Sequence, residues 1–498
     1  MLTATGLNPQ PSTLNSPMPH DHLSEFLQKL TSSGQLVRVR TEVDARYQIA
    51  ALTSEARRSD SRGGPALLFE NVKGARQSVV TNLLGTEARV LLALGDELLG
   101  TARQRLVDWL TPRTGDATPE SIGLAARLAK LVPRMQKTAF AQQVARLGRD
   151  INLEEFAFPR HFEGETGRTL TSAQVWLVTP DGQRRWMSAP ILEVAGPQSL
   201  LVHWTLFDHG PDIVEEYRHD GKPTPVIVSI GGDPLLHLAA QLPDLPGTDA
   251  AQLAAVLRGQ PLNLVRGRSV ELDGPADAEF LIEGYIDAKE IDAARGTVTS
   301  SSGLLVSRQR LAVIRVTAVT HRSQPVLPSV VHAASDSEET AWYPLLSELL
   351  TPVMQRMHPA VQTFRFSRDG QGRRIGFVGL RTRFPGHARQ VLQGLASWPT
   401  LADAVVLIAV DEDLDLSQSS TVWQQVAANA DPGRDVWTLP VVRDASHRAC
   451  RDLSNSGTLL IDATRKPDAA TGDWIRTAEL PEAAKESAKL LWQQVSRQ

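Results

Sequence analysis

Hydrophobic residues first become periodic at Leu23, Phe26, Leu27 and Leu30, which recur at helical spacing behind Asp21, a residue suited to cap a helix, and Gly34 ends the run. Leu36-Val-Arg-Val-Arg40 then reads as a strand, and Ala66–Phe69 and Val79–Leu84 continue the alternation of helices with short apolar strands. This pattern predicts a small α/β domain over residues 21–115. Residues 1–20, rich in Pro, Ser, Thr and Asn without periodicity, predict a disordered tail. Residues 112–120 carry the prolines, glycine and small polar residues of a linker, ahead of a helix expected over Ile122–Leu147.

From about Leu170 the periodic segments become strands: Ala173–Val178, Leu200–Phe207, Pro225–Ile230, Glu279–Ile286 and Leu311–Val319, interrupted by one helix near Asp249–Leu257. Residues 116–325 therefore read as a β-rich central domain. The α/β pattern returns over 326–498, with helices expected at Trp342–Met357 and His387–Ala396 and strands at Ile375–Gly379 and Ala404–Val410. A terminal amphipathic helix over Leu480–Val495 carries Leu490, Leu491 and Trp492, an apolar face suited to dock on its own domain or on a neighbouring subunit. The fold class is α/β (α+β) in three domains.

Composition narrows the function. A chain of 498 residues fits several domains at roughly 100–200 residues each. With 42% hydrophobic and 22% charged residues, and no apolar run near the ~20 residues of a spanning helix, no membrane segment is expected. Lys and Arg total 52 against 56 Asp and Glu, and the net charge of −4 argues against a nucleic-acid partner. The one cysteine, Cys450, can form neither an internal disulfide nor a thiolate metal cluster. The first residues lack a basic and an apolar signal region, so a cytoplasmic location is expected.

Five constellations can carry chemistry. Gly231-Gly-Asp-Pro234 follows an apolar strand, where it is a phosphate cradle or, more commonly, a tight turn. The acidic run Asp411–Asp415 ends a buried strand, where it is a ligand site or a solvated strand end. His203 lies within an apolar strand as a hydrogen-bonded core residue, and His209 stands in the loop after it, better placed for a cleft; Glu279 and Glu283 share one strand face as a paired acid/base or as structural carboxylates. Arg295-Gly-Thr-Val-Thr-Ser-Ser-Ser-Gly303 is a run of hydroxyls suited to an anion or to a flexible loop.

Several segments follow one another in a familiar order. They are Phe69-Glu-Asn-Val-Lys-Gly74, Asn82-Leu-Leu-Gly85, Leu92-Ala-Leu-Gly95, Gly221-Lys-Pro-Thr-Pro-Val-Ile-Val-Ser-Ile-Gly-Gly-Asp-Pro234, Leu257-Arg-Gly-Gln-Pro261, Ala278-Glu-Phe-Leu-Ile-Glu-Gly-Tyr285, Thr320-His-Arg322, Val410-Asp-Glu-Asp-Leu-Asp415 and Ile461-Asp-Ala-Thr-Arg-Lys466. By these the chain resembles the UbiD family of carboxy-lyases over about Asp21–Gln498. The resemblance implies an N-terminal α/β domain, a central flavin-reductase-like split β-barrel domain and a C-terminal α/β oligomerisation domain, in a homodimer or higher oligomer. It implies prenylated FMN, its phosphate bridged by Mn2+ with K+ nearby, and decarboxylation or carboxylation of aromatic and α,β-unsaturated acids. A Glu-Arg-Glu network handles the proton that replaces carbon dioxide.

Residue by residue, this sequence departs from that site. Counting from Pro180-Asp-Gly182, the positions of a metal-binding Asn and the network Arg hold Trp186 and Ile191; the network glutamates become Arg295 and Ser300, and the metal glutamate becomes Ala250, beside Asp249. Of the metal ligands only His209 remains, and the cofactor contacts carried over are His209, Ser188 and Arg295. The family's cofactor-contacting lysine has no counterpart in Ser397–Asp403. One histidine lacks the anionic oxygens that hard cations prefer, and loss of a general acid costs roughly 10²–10⁴-fold in rate. Two functions follow: a non-catalytic or accessory subunit beside a catalytic UbiD-family partner, or a divergent carboxy-lyase. In the second, Arg295, His209 and Ser300–Ser302 hold a cofactor phosphate or a substrate carboxylate. A third reading is a pocket that binds some other small molecule without chemistry.

Overall fold

The computed structural model describes residues 22–95, 99–110, 129–243, 249–333, 337–370, 374–398, 401, 403–444, 456–466, 478 and 480–496. The expected tail, the Asp21 cap, the linker at 112–120 and Cys450 lie outside the described residues. Helix α1 (Leu23–Ser32) turns the four periodic residues inward and leads into β1 (Leu36–Val39). Helix α2 (Gln48–Arg58) crosses over to β2 (Ala66–Phe69), parallel to β1, and β3 (Ser78–Thr81) runs back antiparallel. The fourth strand of this sheet is β18 (Val326–Ser329), parallel to β3, so the chain rejoins the N-terminal sheet after crossing the centre of the molecule. Helices α3 (Glu87–Ala93) and α4 (Leu99–Leu110) follow β3.

The helix expected over Ile122–Leu147 does not continue through residues 130–147. Residues 134–136 form β4 (Arg134–Gln136), parallel to Asn263–Arg266, and Val144–Leu147 forms β5, an edge strand. Pro133 removes a backbone donor and disfavours helical geometry at Val132, and the alternating exposure of Val144–Leu147 suits a strand with one face covered.

A nine-stranded sheet forms the centre. It contains β6 (Thr169–Leu170), β7 (Ala173–Val178), β8 (Arg185–Ser188), β9 (Ile191–Gly196), β10 (Ser199–His203), β11 (Thr224–Ile230), β14 (Phe280–Ile286) and β17 (Ala312–His321), with β5 added on β17. The short strand β12 (Asn263–Arg266) pairs with β4 on one side and with β13 (Asp273–Pro275) on the other, and β15 (Arg295–Thr299) pairs with β16 (Leu305–Gln309) as a separate hairpin. Both faces of the large sheet are covered. Val226, Val228, Phe280 and Ile282 enter one core, while the alternate residues Ile227 and Leu281 enter the other, which explains the continuous apolar runs.

Among the described residues, helices α5 (Gly210–His219), α6 (Pro234–Ala239) and α7 (Ala250–Arg258) flank this sheet, while α8 (Glu339–Met357) packs against α3, α4 and the strand Val361–Phe366. Helix α8 starts three residues before the expected Trp342, which brings Glu339 and Tyr343 onto one helix face. The C-terminal sheet has the order β19 (Val361–Phe366), β20 (Ile375–Leu380), β21 (Val406–Asp411), β23 (Ser456–Asp462), β22 (Val436–Val441), flanked by α9 (His387–Ala396) and α10 (Ser419–Asn429). Helix α11 (Glu482–Val495) buries no residue, and Trp492 is 69% exposed. The mixed α/β class is as the sequence predicts. No described helix is long and apolar enough to cross a membrane.

Candidate functional site

A cavity of about 360 Å³ lies between the central sheet, the β15–β16 hairpin and α8. Strand β8 contributes Trp186, Met187 and Ser188, Ile191 starts β9, and His203 ends β10. The expected strand Leu200–Phe207 stops at His203 because Asp208 accepts hydrogen bonds from the Thr205 backbone N–H at 2.7 Å and its hydroxyl at 2.8 Å. That turn aims Thr205–His209 at the cavity. The hairpin adds Ser300, Val306 and Arg308, α8 adds Glu339 and Tyr343, and the C-terminal unit adds Trp398 and Asp403.

Titratable side chains line this space, with Glu193 behind one of them. His203 Nε2 lies 2.9 Å from Glu193 Oε2, both side chains almost wholly buried, and the other ring nitrogen of His203 has no hydrogen-bond partner among the described residues. Such a carboxylate accepts from the ring at Nε2 and so sets the orientation of the imidazole. His332 Nδ1 lies 3.6 Å from Glu339 Oε1. Burial alone would lower the His332 pKa, but Glu339, Glu338 and Glu165 together raise it above its ordinary value. His237, edge-on to Trp342 with ring centroids 5.2 Å apart, is pushed by burial down to about 4.

The structure brings together several positions singled out from sequence: Trp186, Ser188, Ile191, His209, Ser300 and Ser301 all line the cavity. Arg295 does not; it starts β15 exposed to solvent and outside the lining residues. Ala250 opens α7 away from the cavity, and Asp249 caps that helix through the Gln252 N–H while accepting Arg185 Nε at 2.8 Å. Gly231 and Gly232 adopt positive φ in a tight turn, and Asp233 caps α6 at 2.8 Å from the Leu235 N–H, so the turn reading holds. Glu283 accepts the Arg268 and Ser269 N–H groups, and Glu279 accepts that of Val326; both are structural. The acidic run is a solvated strand end, where Arg465 bridges Asp411 and Asp413.

These side chains do not fit a divalent ion bridged to a phosphate. Trp186 and Ile191 offer no metal-ligating atom, Asp249 is committed to Arg185, and His209 is half exposed beside Asp212 at 3.2 Å. Among the described residues no group of three His, Cys, Asp or Glu side chains is placed to hold a metal ion. Sequence reasoning missed Glu193, His237, Arg308, His332 and Glu339, which belong to no motif and meet only through tertiary pairing.

This is a carboxy-lyase fold whose pocket lies where the central sheet meets α8 and the C-terminal unit. The chain matches the 3-octaprenyl-4-hydroxybenzoate carboxy-lyase N-terminal domain over residues 27–106, the Rift-related domain over 133–335 and the C-terminal domain over 341–463. It belongs to the UbiD family. A protein of Aquifex aeolicus is 28% identical over 475 residues, covering 94% of this chain and 97% of its own. The UbiD-class enzyme HmfF of Pelotomaculum thermopropionicum, solved with prFMN, is 26% identical with a TM-score of 0.74, covering 93% of this chain and 98% of that one. Sedimentibacter hydroxybenzoicus vanillic acid decarboxylase shares the fold at 22% identity. Its closed form gives a TM-score of 0.82 and covers 96% of this chain and 99% of that one.

Proposed function

We propose that this chain binds a small carboxylic acid in its cavity and acts as a non-catalytic or accessory subunit beside a catalytic UbiD-family partner. It would then serve an aromatic or unsaturated acid decarboxylase or carboxylase system. One observation carries the reading: the cavity persists, yet Trp186 and Ile191 occupy its wall at the positions implied for a metal ligand and the network arginine. An indole and an alkyl chain there can pack against a ligand but neither hold a cation nor move a proton. The HmfF structures contain prFMN or FMN, which makes flavin the decisive probe.

The test is co-expression with a prenylated-flavin synthase, followed by absorption spectroscopy, metal analysis and assay of carbon dioxide release from aromatic acids. A colourless protein that co-purifies with a second family member is the expected result. Stoichiometric flavin and manganese with carbon dioxide release would overturn it.

The second reading, a divergent carboxy-lyase, is supported by the Glu193–His203 pair and by His209 and the Ser300 hydroxyl in the same cavity. Under that reading Glu193→Gln lowers turnover by about 10²-fold or more, since an imidazole set in the wrong tautomer loses its acid/base role. Arg295, exposed at the start of β15, stands apart from these groups.

A further inference from the structure

Arg308 is the one guanidinium or ammonium among the described residues that line the cavity. It shares a strand face with Val306, two residues earlier on β16, and both side chains reach the cavity wall. Its guanidinium already grips a carboxylate: Nη2 donates to Asp444 Oδ1 at 2.6 Å and Nη1 donates to Oδ2 at 3.1 Å, the two-pronged arrangement by which arginine recognises carboxylates. Asp444 comes from the C-terminal unit, just beyond β22, and its side chain is 3% exposed. The same Oδ2 accepts the Leu206 backbone N–H at 3.0 Å. A single carboxylate thus ties the C-terminal unit to two walls of the cavity, the β15–β16 hairpin and the loop after β10.

We propose that Arg308 is the carboxylate anchor of the cavity and Asp444 its internal competitor, so that a ligand carboxylate taking the Arg308 fork detaches the C-terminal unit from the hairpin. This rests on the carboxylic-acid reading above and names the residue that recognises the acid. Exchanging one carboxylate for another preserves the charge balance around a partly buried guanidinium, whereas a neutral ligand would leave Asp444 in place. Gly296, directly across the ladder from Arg308, has no side chain to crowd the exchange. Because the two carboxylates exclude each other, whatever strengthens the Arg308–Asp444 pair weakens ligand binding by the same factor.

The test is calorimetric titration of the purified full chain with benzoate, and with benzamide as the neutral analogue, in the wild type, Arg308→Lys and Asp444→Asn. Limited proteolysis of each protein, with and without benzoate, reports the attachment of the C-terminal unit. The wild type is expected to bind benzoate and not benzamide, and benzoate should speed cleavage within the C-terminal unit. Arg308→Lys, which keeps the charge but loses the fork, should bind benzoate about tenfold more weakly, while Asp444→Asn should bind it about tenfold more tightly and be cleaved readily without ligand. Unchanged benzoate affinity in both variants, or weaker binding in Asp444→Asn, overturns the assignment of these residues and leaves the carboxylic-acid reading intact. Failure of benzoate to bind any of the three proteins overturns both.

Discussion

Glu193 on β9 and His203 on β10 are diagonal neighbours on one face of the antiparallel ladder, 2.9 Å apart, with Gly296 of the hairpin packed over them. A Cβ on Gly296 would overlap the Glu193 carboxylate and press on the His203 ring at 3.0 Å. Gly296→Ala should therefore destabilise the fold by about 1–3 kcal/mol, through overpacking of a buried pair that has little room to move. Urea denaturation measures this, and a loss below about 0.5 kcal/mol would show that the hairpin shifts freely over the sheet.

Glu279 gives a pH-dependent prediction. Burial raises its pKa to about 7 from an ordinary 4.5, against the lowering effects of the Val326 N–H and of Arg322. The folded state thus binds the proton more tightly than the unfolded chain, and the stability this confers is complete below 4.5 and lost as pH rises through 7. Glu279→Gln keeps an oxygen for the Val326 N–H and removes the titration, so the variant should gain stability relative to the wild type between pH 5 and 8. A difference that stays constant over that window would refute the assignment.

His237 and His161 act in the opposite sense. Burial lowers His237 to about 4 and His161 to about 3, each helped by the nearby His332. Unfolding lets them take up protons near 6.5, so their contribution is present above that value and lost as pH falls towards 4. Thermal melts of His237→Phe should show a shallower acid-side decline than the wild type. Parallel declines would mean that His237 stays accessible to protons in the fold.

Helix α11 presents Leu490, Leu491 and Trp492, between 57% and 69% exposed. A face of that kind matches a subunit contact, as the expected homodimer or higher oligomer requires. Trp492→Asp should lower the mass seen by light scattering to that of a smaller species without altering the circular dichroism. A wild-type chain that already scatters as a monomer would refute the assembly.

Much of the fold was legible from periodicity. The runs at 173–178 and 387–396 are the observed β7 and α9, because each element buries one continuous set of apolar side chains and the period of that set is local. The segment at 134–147 was not, since its strands exist only through partners such as Asn263–Arg266, far along the chain. Cavity positions named from the resemblance, Trp186, Ser188, Ile191, His209 and Ser300, do converge, while Arg295 points to solvent because it opens the hairpin at its outer end.

Most element types, and the identities of the residues at the positions named from the resemblance, such as Trp186 and Ile191, were contained in the linear chain, because residue identity and spacing along one element suffice to state them. Which ionisable groups meet was decided by tertiary pairing alone. Arg308 meets Asp444 across 136 residues, and Glu339 reaches His332 only because α8 begins one turn early. An ion pair depends on distance and burial, and neither is a property of spacing along the sequence.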